Sequence, residues 1–205
     1  MARDQLIITV RTLVEAHVEE EFNEWQFEEH VPWILSVDGY TSVRRYKEAN
    51  KELSYINIWT LDDFAAYDSE DHEKKSKSPW GRRLRRFRQL RVEFYEKVKS
   101  IGLIPDTGND YLSVIRFRVE DTQEKELKNW IVNEQLEALK LGGVSYAALY
   151  QRVRNGDGYM IRADFPTACG KEETAWTTIV DRIHNQADFQ SAEAYLSMAS
   201  TTFAK

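Results

Sequence analysis

Residues 11–46, RTLVEAHVEEEFNEWQFEEHVPWILSVDGYTSVRRY, are echoed by residues 116–150, RFRVEDTQEKELKNWIVNEQLEALKLGGVSYAALY. Arg11, Val14, Glu15, Glu21, Trp25, Glu29, Gly39 and Tyr46 recur as Arg116, Val119, Glu120, Glu126, Trp130, Glu134, Gly143 and Tyr150, with one residue dropped before the glycine. The echo continues with Tyr55 against Tyr159 and Ser78-Pro79-Trp80 against Thr174-Ala175-Trp176. A repeat of this length divides the 205 residues into two small domains, 1–104 and 105–205, the second a degenerate copy of the first.

Working outward from the repeat, residues 5–14 are apolar and β-branched and read as a strand. Val18, Phe22 and Trp25 form a stripe at helical spacing within a helix over 17–35, whose last turns Pro32 disturbs. Asp38-Gly39 is a turn, 40–46 a strand, and 54–61 alternates like a strand with two different faces. A short helix over 62–67, a basic helix from Pro79 through Arg91 and a strand over 91–98 complete the first half. Residues 100–110 read as the linker. The second half repeats the order with strands over 111–119, 144–153 and 158–165, helices over 122–140 and 172–184, and a closing, partly helical 189–203. Asn155-Gly156-Asp157-Gly158 reads as a hairpin turn. The expected class is α+β, with two tandem ferredoxin-like (βαββαβ) halves whose antiparallel sheets each leave one face for the other to cover.

A hydrophobic share of 42% and an aromatic share of 12% are those of a globular chain. No run approaches the ~18 apolar residues of a membrane helix, and the N-terminus leads straight into a strand, which argues against a membrane span or secretory signal. A single cysteine, Cys169, excludes an internal disulfide, fits a cytoplasmic setting and leaves no cysteine-rich metal site. The net charge is −6, yet residues 72–91 carry nine Lys/Arg and one acid, leaving the rest of the chain at −14. Overall acidity argues against nucleic acid as a partner. On a helix from Pro79, Trp80, Leu84, Phe87 and Arg91 share a face, so the arginines read first as a solvated outer side and second as an anion-docking surface.

Glu20-Glu21-Phe22-Asn23-Glu24-Trp25, Glu29-His30-Val31-Pro32, Gly39-Tyr40 and Arg44-Arg45-Tyr46 resemble the EthD-like branch of the dimeric α+β barrel superfamily, most strongly over 5–100. The resemblance implies two ferredoxin-like units forming an α+β barrel within one chain. It also implies a place among cofactor-free isomerases, polyketide cyclases, monooxygenases and haem proteins, and an acid–base role for the histidine of the Glu-His-x-Pro motif, here His30.

Glu29 and Glu134 fall on the apolar stripe in both halves, so structural pairs with Arg11 and Arg116 are expected first and general-base chemistry by Glu29 second. What differs between the halves is the better guide to chemistry. His30 aligns with Gln135, Trp33 with Ala138, Arg44 with Ala148, Arg45 with Leu149, Asn57 with Ile161 and Trp59 with Ala163. The candidate active half is therefore the first. His30 suits acid–base work, with Glu28 and Glu29 favouring its protonated form or fixing a tautomer. Arg44 or Arg45 suits an enolate or carboxylate, and Tyr46 completes the candidate catalytic set. Tyr40, Tyr55, Asn57, Trp59 and Trp33 are candidate substrate contacts offering flat walls and polar donors. His17, His72 and His184 read as surface residues, and no metal-ligating motif is present.

These parts suit a cofactor-free isomerase, cyclase or lyase acting by proton transfer on a small cyclic or polyketide-like carbonyl or carboxylate compound. The alternatives are a haem-binding or oxygen-using protein with His30 as axial ligand, and a non-catalytic ligand-binding or stress-response module. The expected partner is a small molecule, and a homodimer is compatible with the free sheet edges and the basic segment.

Overall fold

A computed structural model describes residues 6–49, 51–104, 111–166 and 174–204, with 188–204 as strand backbone. Cys169 lies outside the described residues, as does most of the 100–110 linker. The chain forms two compact units, Met1–Phe94 with Ser200–Lys205, and Tyr95–Ala199. The fold class is α+β, and each unit carries an antiparallel sheet with helices on one of its faces.

The first unit contains β1 (Leu6–Val14), α1 (Glu19–Trp25), α2 (Val31–Leu35), β2 (Tyr40–Glu48), β3 (Ser54–Leu61), α3 (Glu70–Ser76), α4 (Pro79–Leu84) and the start of β4 (Arg88–Gly102). Its strand order, β4–β1–β3–β2, is the ferredoxin-like one. The second unit contains β5 (Tyr111–Arg118), α5 (Asp121–Trp130), α6 (Leu136–Leu141), β6 (Tyr146–Arg154), β7 (Tyr159–Phe165), α7 (Thr174–Gln186) and all but the end of β8 (Asp188–Ala204), ordered β8–β5–β7–β6. Strand registers agree between the units, since Thr12 stands opposite Tyr55 and Phe117 opposite Tyr159.

Each long helix expected near the start of a unit is split by one π-helical turn, at Gln26–His30 and at Ile131–Gln135. Pro32 follows the first, but Glu137 occupies its place in the second, so the proline is not what widens the turn.

Three expectations need correction. The basic helix does not reach Arg91: α4 ends at Leu84, a short 3-10 turn covers Arg85–Phe87, and β4 begins at Arg88. The closing segment is strand β8 rather than partly helical. Arg11 pairs with Glu93 (3.5 Å), while Glu29 accepts a hydrogen bond from Trp25 Nε1 (3.0 Å) and Glu134 is exposed. Glu93 is fully buried in β4 beside β1 and draws Arg11 and Arg91, so the helical glutamates are not needed as partners.

The first unit's core joins Ile8, Val31, Ile34, Val43, Trp59, Leu61 and Phe94. The second unit's core joins Ile115, Leu127, Ile131, Leu136, Leu149, Ile161, Ala163 and Ile179. No helix among the described residues is long and apolar enough to cross a membrane.

β4 ends at Gly102, whose φ of +71° lies in the left-handed region and whose missing Cβ makes room for the Ser145 carbonyl. That carbonyl also accepts from the Leu103 N–H at 3.1 Å. Gly102→Ala is expected to destabilise the protein by at least about 2 kcal/mol, read as a lowered urea midpoint.

Candidate functional site

Register decides which side chains share a space. Tyr55, Asn57, Trp59 and Leu61 in β3 stand opposite Thr12, Val10, Ile8 and Leu6 in β1, and this set faces the helices. Between it and the helices lies a cavity of about 230 Å³ walled wholly by first-unit residues. The sheet contributes Ile8, Val10, Thr12, Asn57 and Trp59, and the helical side contributes Gln26, His30 and Ile34. Tyr40, Tyr67 and His72 close one side, and Lys77, Arg82, Arg85 and Arg88 border it with Leu90 and Val92.

His30 comes from the π turn. Its ring stacks on Trp25 (4.4 Å, 25°) and meets Trp59 edge-on (5.9 Å, 87°). Burial, then the charges of Arg88, His72 and Arg45, push its pKa down to about 3. His30 is thus neutral at physiological pH. The expectation that Glu28 and Glu29 favour its protonated form is not met, because burial disfavours the charged ring and the Arg88 charge adds to that.

Tyr40 reaches the cavity through a break in register. Ser42 stands opposite Thr60 but Tyr40 opposite Leu61, so one extra residue turns Tyr40 onto the helix-facing side. Its hydroxyl lies 2.9 Å from His72 Nδ1, and the two rings stack at 5.6 Å and 7°. Burial raises the Tyr40 pKa and lowers that of His72, which favours a neutral phenol beside a neutral imidazole. His72 is therefore a cavity residue and not the surface residue expected; it occurs in no motif, and only the fold brings it to Tyr40. Asn57 donates to Gln26 Oε1 at 2.9 Å within the buried wall.

His30, Tyr40, Asn57 and Trp59 are thus brought together, while five other candidates lie elsewhere. Arg44 and Tyr46 stand opposite Ile58 and Ile56, on the other sheet face. Arg45 shares the helix-facing side, but its guanidinium packs over Phe22, Phe27 and Tyr55 and donates to Asn23 Oδ1 (2.6 Å). Burial lowers the Arg45 pKa to about 10, so it stays charged as a scaffold cation. Tyr55 bonds Glu19 and Asn23 in a polar cluster with Lys47, and Trp33 is exposed.

The cations that do border the cavity come from the basic segment. Ser78 caps α4 by accepting from the Gly81 N–H (2.9 Å), Pro79 opens the helix, and Gly81 abuts Trp25, leaving no room for a side chain. Arg88 lies 4.5 Å above the Trp25 ring, its pKa lowered to about 10 by burial and by Arg85. In β4, Arg88, Leu90 and Val92 alternate onto one face. This alternation was legible in the sequence, but helical phasing of the same residues obscured it.

In the second unit the corresponding residues Ile161 and Ala163 are fully buried in a continuous apolar cluster with Leu136 and Ile179, and Gln135 takes the place of His30. Among the described residues no group of three or more His, Cys, Asp or Glu is placed to hold a metal ion.

The sequence matches no protein-family model and no curated protein. Among solved structures the chain is similar to an anthrone oxidase-like protein, with TM-score 0.73 and 11% identity over 98% of this chain and 94% of that one. It is similar to a chlorite dismutase from Candidatus Nitrospira defluvii, with TM-score 0.69 and 10% identity over 96% and 92%. A candidate monooxygenase from Fusobacterium nucleatum gives TM-score 0.67 and 10% identity over 100% and 96%. At these identities the likeness is one of fold, a ferredoxin-like α+β arrangement.

Folded His30 remains neutral to about pH 3, whereas in the unfolded chain it protonates near 6.5. Acidification through that window therefore favours the unfolded state, and stability falls as pH drops from about 6.5 toward 3. His30→Gln, which installs the second unit's residue, is expected to flatten the dependence of the urea midpoint on pH, leaving the same-sign contribution of His72.

Proposed function

We propose that the chain is a fused pair of EthD-like ferredoxin repeats whose first unit is a cofactor-free enzyme acting by proton transfer on a small cyclic carbonyl, enol or phenol. The observation that carries this reading is the cavity itself. It gathers a neutral imidazole, a Tyr40–His72 pair and Asn57 against the walls of Trp59, Ile8 and Val10, where the second unit is packed with apolar side chains. A ring seated on Trp59 presents its carbonyl oxygen to the Tyr40 hydroxyl, which His72 orients. The adjacent C–H proton passes to a ring nitrogen of His30, and its return at a second carbon completes an isomerisation. An empty-site pKa of about 3 makes His30 a weak base. A bound anion offsets the field of Arg88 and raises the basicity of His30 when the substrate is in place.

The names of two fold neighbours, anthrone oxidase-like and monooxygenase, favour an oxygen-using variant of the same chemistry. In it the deprotonated substrate itself supplies electrons to O₂. Haem fits these residues poorly. The cavity of about 230 Å³ takes a single small ring but is too small for a tetrapyrrole, and His30 is wedged between Trp25 and Trp59.

Deuterium exchange from D₂O into cyclic 1,3-diketones and hydroxyaryl ketones, followed by NMR, tests the reading without knowledge of the native substrate. Catalysed exchange at pH 7 is expected, falling about 100-fold or more in His30→Gln and less in Tyr40→Phe. Exchange no faster than in buffer, or unchanged in both variants, overturns it. Oxygen consumption during turnover selects the oxygen-using form, and a Soret band on hemin titration that His30→Gln abolishes would favour haem instead.

A further inference from the structure

The border of the cavity carries charge that no acidic side chain among the described residues neutralises. Arg82, Arg85 and Arg88 make no hydrogen bond or ion pair with any described residue, and Arg88 Nε is buried without a partner. Lys77, beside them, is engaged by Glu73. Of the neighbouring arginines that do not border the cavity, Arg83 pairs with Glu21, and Arg86 lies over Phe87 at 4.5 Å as Arg88 lies over Trp25. No acidic side chain is among the cavity's walls. Three guanidiniums on one rim, from a helix end, the following turn and a strand, repel one another when the site is empty, and an oxyanion among them relieves that repulsion.

We propose that Arg82, Arg85 and Arg88 form a subsite for an oxyanion group, a carboxylate or a phosphate ester, borne by the same molecule whose ring fills the cavity. The inference rests on the reading of the cavity as a substrate site and adds the second determinant of what enters it. The inner part of the cavity offers neutral donors and apolar walls, which select a ring, while the rim selects a charged substituent. Charge and ring are then read by different elements: the π turn and β3 inside, α4 and the start of β4 outside.

Quenching of tryptophan fluorescence reports occupancy directly, because Trp59 walls the cavity and Trp25 lies beneath Arg88. Four probes separate the possibilities: phenol, salicylate, phenyl phosphate and inorganic phosphate. Salicylate or phenyl phosphate is expected to bind about 10-fold or more tightly than phenol, the better of the two identifying the oxyanion. Arg82→Ala and Arg85→Ala should each remove most of that advantage, and Arg83→Ala and Arg86→Ala, which delete the same charge from the same segment, should preserve it. Equal binding of phenol and the ring oxyanions, or equal losses in all four variants, overturns the subsite and leaves the cavity reading standing. Inorganic phosphate competing as well as phenyl phosphate also overturns it, since the site would then take a free anion. Failure of every probe to bind overturns the subsite together with the substrate-site reading.

Discussion

The indole of Trp25 is the contact on which the first unit's site depends. One side chain, almost wholly buried, stacks on His30 at 4.4 Å, supports Arg88 at 4.5 Å, and donates its N–H to Glu29 at 3.0 Å. Gly81 lies so close to it that α4 settles against the ring, which brings Arg82 and Arg85 to the cavity border. The imidazole and the guanidinium are thereby fixed relative to each other by one rigid aromatic. An aromatic ring does this well because it presents a large surface at little conformational cost and attracts a cation to its face.

The second unit keeps the tryptophan and loses the consequence. Trp130 carries Arg182 at 4.2 Å, yet that guanidinium is neutralised by Glu126 at 2.9 Å and bonded to Gln186 at 2.7 Å. In the first unit Arg88 has no acidic partner among the described residues, and its charge is left to act on His30 and on whatever occupies the cavity. The difference between scaffold and site is thus one of pairing rather than of residue type. A paired cation over a tryptophan holds a helix, whereas an unpaired one beside a cavity sets an electrostatic field.

Much of this was legible from residue order. The echo of 11–46 in 116–150, with turns at Gly39 and Gly143, pointed to a common element order, which the strand orders β4–β1–β3–β2 and β8–β5–β7–β6 share, and the alternation of 54–61 separated the faces of β3. Subtracting one half from the other pointed to His30, Asn57 and Trp59, all of which line the cavity together with Tyr40. The same subtraction also selected Arg44 and Arg45. It misled there because a difference between copies marks any divergence: Arg44 lies on the opposite sheet face and Arg45 serves a packed aromatic cluster.

What the sequence alone determined was therefore periodicity and order: strands, helices, turns, and which unit departs from the common pattern. These are local properties, set by backbone preference and the spacing of apolar side chains. The pairing of Tyr40 with His72, the register break that turns Tyr40 inward, and the switch at Arg88 from helix to strand were decided only in three dimensions. Each depends on contacts between residues far apart in the chain. Backbone pairing in a sheet, and the burial that comes with it, can override the phase that a local pattern of charges and apolar residues would otherwise impose.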